Sequence, residues 1–269
     1  MQRAGLTKSE IEKMDRVDKA HRATGFQSMY KMLRSKLHNT IAGTPETGDF
    51  GEKDIRNYAK AMHPAWCRGC NASAIEEPAH SLDPITPAGI SEAHGDGWFL
   101  TAKIEGGNKI VKQSYLLFVD NRTQNVLCFL LKADGNSKDF IAVFEELIGT
   151  YKAAGHTLTK IKLDNWRTGI EKSPAHKYLQ QKGIEVTFST PGRKVKKAET
   201  FIGYLKSHLK KIVFSLRPGI MLPLKFYEYA VRFAVQTLNL APSEANKFLS
   251  PHALFTGQQV TWKKHARFR

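Results

Sequence analysis

The chain has 269 residues, 41% of them hydrophobic, and a formal net charge of +16 at pH 7. This content is enough for one large domain or two small ones, and so basic a globular chain usually binds a polyanion, most often nucleic acid. No apolar run reaches the roughly 18 residues of a membrane span, the first residues do not resemble a signal peptide, and three cysteines argue against a disulfide framework. The composition therefore predicts an intracellular nucleic-acid-binding protein without a membrane partner.

The first 78 residues predict a small helical domain. Apolar residues at spacings of three and four predict helix over about 7–38, with Thr7 or Ser9 as the N-cap. A second, short helix is predicted near Asp54 to Met62. The proline-rich segment 79–92 is typical of a linker and separates this domain from the rest.

Strands and helices alternate in the second half, 93–260, which a tail of 261–269 follows. Three strand-like segments, with turns at "EGGN" and "DNRTQN", are followed by a helix that Ser137 caps and Gly155 stops. A strand ending at Asp164, a helix, the strand "IEVTFS" and long helices over about 196–215 and 223–239 complete the order. This order predicts an α/β fold, a mixed sheet flanked by helices on both faces.

Three acidic residues stand at informative places. Asp164 closes a strand, where functional side chains of open α/β sheets gather, and Asp96 lies at the first strand. Glu199 is the one acid among eight Lys or Arg between residues 193 and 217. An apolar stripe would anchor its helix to the sheet and aim Glu199 at the strand ends: Ala198, Ile202, Leu205, Leu209 and Ile212.

Each acid also has a structural explanation. Asp164 suits a turn or an N-cap, Asp96 a solvated position, and Glu199 a helix start favoured by the macrodipole. Together, three acids within a basic surface suit phosphodiester chemistry, in which two Mg²⁺ ions about 4 Å apart activate the nucleophile and stabilise the leaving oxygen.

The order of motifs resembles a known family. The segment from about Asp96 to Gly257 resembles the integrase core of retroviruses and LTR retrotransposons, which has a ribonuclease H-like five-stranded sheet and a D,D-35-E triad. The resemblance rests on "GDGWFLT", "YLLFVDNRTQNVLCFLLKA", "LTKIKLDN", "GIEVTF" and "PGRKVKKAETFIGYLK". The ending "LNLAPSEANKFLSPHALFTGQ" is similar to the post-core sequence of copia-type elements.

This resemblance implies a catalytic triad of Asp96, Asp164 and Glu199 that holds Mg²⁺ or Mn²⁺. The last two have 34 residues between them, 165–198, close to the family's 35. Asp83 and Asp120 are alternatives for the first member, and Asp120 is favoured as a structural acid at a strand end. The implied function is a DNA integrase that cleaves and joins phosphodiesters to insert retroelement DNA, working as a homo-oligomer on element ends and target DNA.

Integrases of this family carry a His-His-Cys-Cys zinc domain before the core. The pair Cys67 and Cys70 has metal-ligand spacing and follows His21 and His38, so these four residues are the candidate Zn²⁺ ligands. Phe26 stands where the second histidine of the family motif would be. The second ligand is therefore missing or comes from elsewhere, from His38 or His63.

The basic residues around Glu199 are predicted to contact DNA phosphates: Arg193, Lys194, Lys196, Lys197, Lys206, Lys210 and Lys211. The run "GRKVKK" also fits a nuclear localisation signal, so the nucleus is the expected compartment. Histidines at segment ends, such as His94, are expected at the surface, whereas Trp98 and Cys128 are expected to pack in the core.

The chain departs from the family at Trp166, Lys194 and Thr200, where relatives often have Gly, His and Arg. These departures keep an alternative open, a catalytically degenerate or domesticated integrase-like protein that binds nucleic acid. A third hypothesis is an unrelated nuclease on the same fold.

Overall fold

The computed structural model describes residues 7–23, 52–61, 91–103, 110–132, 136–164, 170, 172–189, 195–215, 222–241 and 249–258. The chain divides into two compact units. One comprises Met1–Glu77 with Leu205–Arg269, and the other comprises Pro78–Tyr204. The strands all belong to the second unit, among the residues that the structure describes.

A five-stranded sheet forms the centre of the second unit. Its strands are β1 (Ser91–Lys103), β2 (Ile110–Asp120), β3 (Val126–Leu131), β4 (Leu158–Leu163) and β5 (Glu185–Phe188), in the order β3-β2-β1-β4-β5. The pairs β1–β2 and β2–β3 are antiparallel, whereas β1–β4 and β4–β5 are parallel. The predicted fold class, a ribonuclease H-like mixed sheet flanked by helices, is confirmed.

Two helices connect strands that run in the same direction in the sheet. Helix α3 (Ser137–Ala153) joins β3 to β4, and α4 (Pro174–Gln181) joins β4 to β5. The N-cap of α3 is Asn136, whose side-chain oxygen accepts a hydrogen bond from the Asp139 amide at 3.0 Å. The prediction of Ser137 as the cap was therefore wrong by one residue, because Asn136 supplies the acceptor that the first turn needs.

Part of the core of this unit lies on the face of β1 that includes Gly95. A side chain at Gly95 would lie on this face, and Gly95 is paired with Phe118 of β2. The Phe118 ring packs edge-on against Phe129 of β3 and Phe144 of α3, with centroids 6.1 Å apart in both cases.

Strand β1 begins at Ser91, two residues inside the predicted linker, because residues 91–95 pair in parallel with β4.

The other unit contains described helices only. They are α1 (Lys8–Ala23), α2 (Glu52–Ala61), α6 (Leu224–Leu240) and α7 (Pro251–Thr256). Helix α5 (Lys196–Ser215) contains the boundary between the two units, which falls after Tyr204.

Helix α1 begins at a capping box, since the Glu10 carboxylate accepts from the Thr7 amide at 2.9 Å and the Glu10 amide donates to the Thr7 hydroxyl at 3.3 Å. It ends at Ala23 in the described part, and the remainder of the predicted helix, 24–38, lies outside the described residues. Within the described ranges, no helix is both long enough and apolar enough to cross a membrane.

Candidate active site

Asp96 and Asp164 lie side by side directly after the last residues that pair β1 with β4. Gly95 of β1 is in register with Leu163 of β4, so the next residue of each strand is an aspartate. The Asp164 amide donates to the carbonyl oxygen of Gly95 at 3.3 Å and ties the two chains together at this level. Neighbouring strands are about 4.8 Å apart, so the fold brings these two predicted site residues together.

Both carboxylates are oriented by short hydrogen bonds. The Asp96 Oδ1 accepts from the Gly97 amide at 2.7 Å, and the Asp164 Oδ1 accepts from the Ser189 hydroxyl at 2.6 Å. Ser189 follows β5 directly, and its amide donates to the Leu163 carbonyl at 2.9 Å, which fixes it beside the end of β4. Sequence reasoning missed Ser189, although its place directly after a strand parallel to β4 is a usable signal.

Glu199 lies in the first turn of α5, and its side chain is exposed. The predicted apolar stripe of this helix is buried: Ala198, Ile202, Leu205, Leu209 and Ile212. Across the described ranges, no three His, Cys, Asp or Glu side chains are close enough to hold one metal ion. The structure therefore places Asp96 beside Asp164, and among the described residues Glu199 is not grouped with them.

The donor set nevertheless fits a magnesium ion in kind. Two carboxylates on neighbouring chain segments supply oxygen ligands, and Mg²⁺ uses one or two protein carboxylates with waters or phosphate oxygens for the rest. Asp96 and Asp164 are both partly exposed, which leaves them accessible to an ion from solvent.

A polar network lies on the same face of β1 as Asp96. His94 Nε2 lies 3.1 Å from Glu92 Oε1, and their side chains are only 14% and 19% exposed. Burial lowers the pKa of His94 below its ordinary value, the Glu92 carboxylate opposes this, and the Lys197 ammonium adds to the lowering. The expectation that His94 lies at the surface was wrong, because the strand turns it inward beside a carboxylate partner.

The predicted DNA-contacting residues fall into different environments. Lys196, Lys206 and Lys210 are exposed. The Lys197 ammonium instead donates to the Asn121 carbonyl at 3.0 Å and to its Oδ1 at 2.6 Å. Lys211 is partly exposed, whereas Arg193 and Lys194 lie outside the described residues.

Asp120 is a buried structural acid at the turn between β2 and β3, as predicted. Its Oδ1 accepts from the Thr123 amide at 2.7 Å and from the Thr123 hydroxyl at 2.6 Å. Its Oδ2 accepts from the Tyr151 hydroxyl at 3.1 Å. Burial, and then the nearby Asp120 charge, raise the pKa of Tyr151, so this hydroxyl keeps its proton and remains a donor.

The zinc prediction is only partly within the described structure. His21 is 2% exposed, and its ring packs edge-on against Tyr58 of α2 with centroids 6.0 Å apart. His38, Cys67 and Cys70 lie outside the described residues, as do Phe26 and His63.

In the second unit, burial raises the pKa of the Cys128 thiol to about 12, and the neighbouring Trp98 opposes the rise. Trp98 is 3% exposed, in agreement with its predicted core position, whereas Cys128 as a whole residue is partly exposed.

Similar solved structures include retroviral integrase catalytic cores. The HTLV-2 integrase catalytic core domain in complex with magnesium, in its trimeric form, has a TM-score of 0.45 and 19% identity, covering 60% of this chain and 95% of that one. The catalytic core domain of BIV integrase has a TM-score of 0.41 and 14% identity, covering 61% and 93%.

A chain of the simian T-cell lymphotropic virus intasome in complex with PP2A regulatory subunit B56 gamma has a TM-score of 0.49 and 16% identity, covering 88% of this chain and 74% of that one. No protein-family model matches the chain, and no curated protein matches it. At these identities the likeness concerns the fold alone, and the chemistry has to come from the residues of this chain.

Proposed function

We propose that this chain is a copia-like LTR-retrotransposon integrase, a polynucleotidyl transferase that cleaves and joins DNA phosphodiesters to insert element DNA. The observation that carries the proposal is the parallel register of Gly95 with Leu163, which places the next residues, Asp96 and Asp164, beside each other. Glu199, in the first turn of α5, is the third carboxylate.

Asp96 and Asp164 would hold a divalent cation, Mg²⁺ or Mn²⁺, with Glu199 as the third carboxylate. The bound ions would supply activation of the attacking oxygen and stabilisation of the leaving oxygen. The Ser189 hydroxyl and the Gly97 amide each hold one carboxylate oxygen at 2.6 and 2.7 Å, which orients the two acids before any ligand arrives.

The reaction proposed has two steps. Water attacks a phosphodiester near the element end and displaces a 3′-oxygen, which leaves the element with a free 3′-hydroxyl. That hydroxyl then attacks a phosphodiester of target DNA and displaces its 3′-oxygen. The exposed Lys196, Lys206 and Lys210 would hold the DNA backbone through phosphate contacts, in keeping with the net charge of +16.

A second candidate function is a DNA-binding protein derived from an integrase that no longer cuts. Two observations favour it: Glu199 is not grouped with the two aspartates among the described residues, and Thr200 replaces a basic residue common in the family. The Thr200 hydroxyl donates to the Lys196 carbonyl within α5 at 2.8 Å. The basic surface would then remain, without phosphodiester chemistry.

Incubating the protein with labelled duplex oligonucleotides, in Mg²⁺ and separately in Mn²⁺, distinguishes these candidates. An integrase nicks the duplex and also yields joined products longer than the substrate. A nuclease on the same fold gives nicks and no joined product, and a binding remnant gives a salt-sensitive complex and neither product. Either of the last two results would overturn the proposed function.

A further inference from the structure

We propose that Lys197, Asn121 and Glu92 form a strut that fixes the first turn of α5 to β1, and that Lys197 is a positioning residue for Glu199. The contacts run in one chain. The Lys197 ammonium donates to the Asn121 carbonyl and side-chain oxygen at 3.0 and 2.6 Å. The Asn121 amide donates to the Glu92 carbonyl at 2.8 Å, and its side-chain nitrogen donates to Glu92 Oε2 at 3.4 Å.

The strut joins two elements that carry different members of the candidate triad. Glu92 lies four residues before Asp96 on the same face of β1, because side chains of a strand alternate. Lys197 lies two residues before Glu199, in the same turn of α5. Sheet hydrogen bonds hold Asp96 beside Asp164 without the strut, whereas Glu199 depends on where α5 begins. Loss of the strut therefore changes the position of Glu199 and leaves the two aspartates in place.

The environment of Lys197 differs from that expected of a lysine that contacts DNA. The Lys197 side chain is partly buried, and its two acceptors are oxygens of Asn121 in the same compact unit, whereas the adjacent Lys196 is exposed. Charge-assisted hydrogen bonds in such surroundings are stronger than those between neutral groups. Lys196 is thus a matched control, one residue away in the same turn, with the same charge and without this contact.

The inference rests on the proposed function for its catalytic consequence, and the test has one arm that does not need activity. In that arm, hydrogen exchange of the amides of residues 196–204 is measured in the protein without DNA. Lys197→Met should exchange about tenfold faster than wild type, Lys197→Arg should be close to wild type, and Lys196→Met should be unchanged. Equal exchange in Lys197→Met and wild type would overturn the strut, even in a protein that does not cut DNA.

In the second arm, joining is measured at saturating DNA, together with DNA affinity at several salt concentrations. Positioning predicts that Lys197→Met lowers the joining rate roughly 10- to 100-fold with DNA affinity and its salt dependence unchanged, and that Lys197→Arg recovers most of the rate. A phosphate contact predicts instead that the salt slope falls by about one while the rate at saturation is kept, and this result would overturn the inference.

Asn121→Ala guards against misfolding of the lysine variant, because it removes a side-chain acceptor without changing α5. It should show the same direction of change with a smaller size, since the backbone carbonyl of Asn121 remains. A wild-type protein without any cleavage would count against the proposed function, and the exchange arm would still decide whether the strut exists.

Discussion

The substitution Gly95→Ala tests how the core of the sheet supports the candidate site. A methyl group at this position would lie 2.6 Å from Phe118 Cε1, 2.7 Å from Phe118 Cδ1 and 2.8 Å from Leu163 Cδ2. The Phe118 ring cannot move aside freely, because it packs against Phe129 and Phe144. The added carbon must therefore push β1 away from β2 and β4.

Overpacking of this kind costs about 1–3 kcal/mol of unfolding free energy. Gly149→Ala is the matched control, because Gly149 is an exposed residue inside α3 and a methyl group there meets nothing within 4 Å. The control should stabilise the protein by about 0.5–1 kcal/mol, since alanine favours helix.

Denaturant unfolding of both variants beside wild type gives the two free-energy changes with opposite signs. The displacement of β1 also acts on the next residue, Asp96, so Gly95→Ala should lower any nicking rate as well. If Gly95→Ala unfolds at the wild-type denaturant concentration, the close packing described for this strand is incorrect.

Three further results are expected. Asp120→Ala should lower the unfolding free energy by about 3 kcal/mol, because the buried donors of Thr123 and Tyr151 lose their acceptor, whereas Tyr151→Phe should lower it by about 1 kcal/mol. Equal stability of Asp120→Ala and wild type would contradict these buried hydrogen bonds. Cys128 should resist alkylation at pH 9 in the native protein, since a thiol of pKa about 12 is roughly one-thousandth thiolate at that pH. If peptide mapping finds rapid labelling of Cys128 in the native protein, the burial of its thiol is disproved. Ser189→Ala should lower nicking roughly tenfold with little change in stability, because Asp164 loses the donor that orients it; an unchanged rate would exclude that role.

The sequence predicted the order of the elements because local signals are strong in this chain. Local residue patterns predicted α3 and α4, although the cap of α3 was placed one residue late, and a strand that ends in aspartate predicted β4. Asp164 was placed at the end of that strand from sequence alone, and the parallel register of β1 with β4 then put Asp96 beside it. The helices and the aspartate at the end of β4 depend on residues that are close in the sequence, whereas the register of β1 with β4 pairs distant residues.

The parts that sequence reasoning missed depend on contacts between distant residues. The first residues of β1, from Ser91, have no strand pattern of their own and become a strand by pairing with β4. The inward position of His94 and the contact of Lys197 with Asn121 arise only when β1, the turn after β2 and α5 meet. A lysine in a basic run shows no sign in the sequence of whether it faces DNA or its own fold.

The most direct test of the central claim compares metal-dependent nicking by wild type, Asp96→Asn, Asp164→Asn and Glu199→Gln. Glu146→Gln, an exposed carboxylate on α3, is the control. If the three acids form the active site, each of the three variants loses nicking and joining while folding and DNA binding are kept, and the control retains full activity. Nicking at the wild-type rate by Asp164→Asn would contradict the account, because the pair formed by Asp96 of β1 and Asp164 at the end of β4 would then have no part in the chemistry.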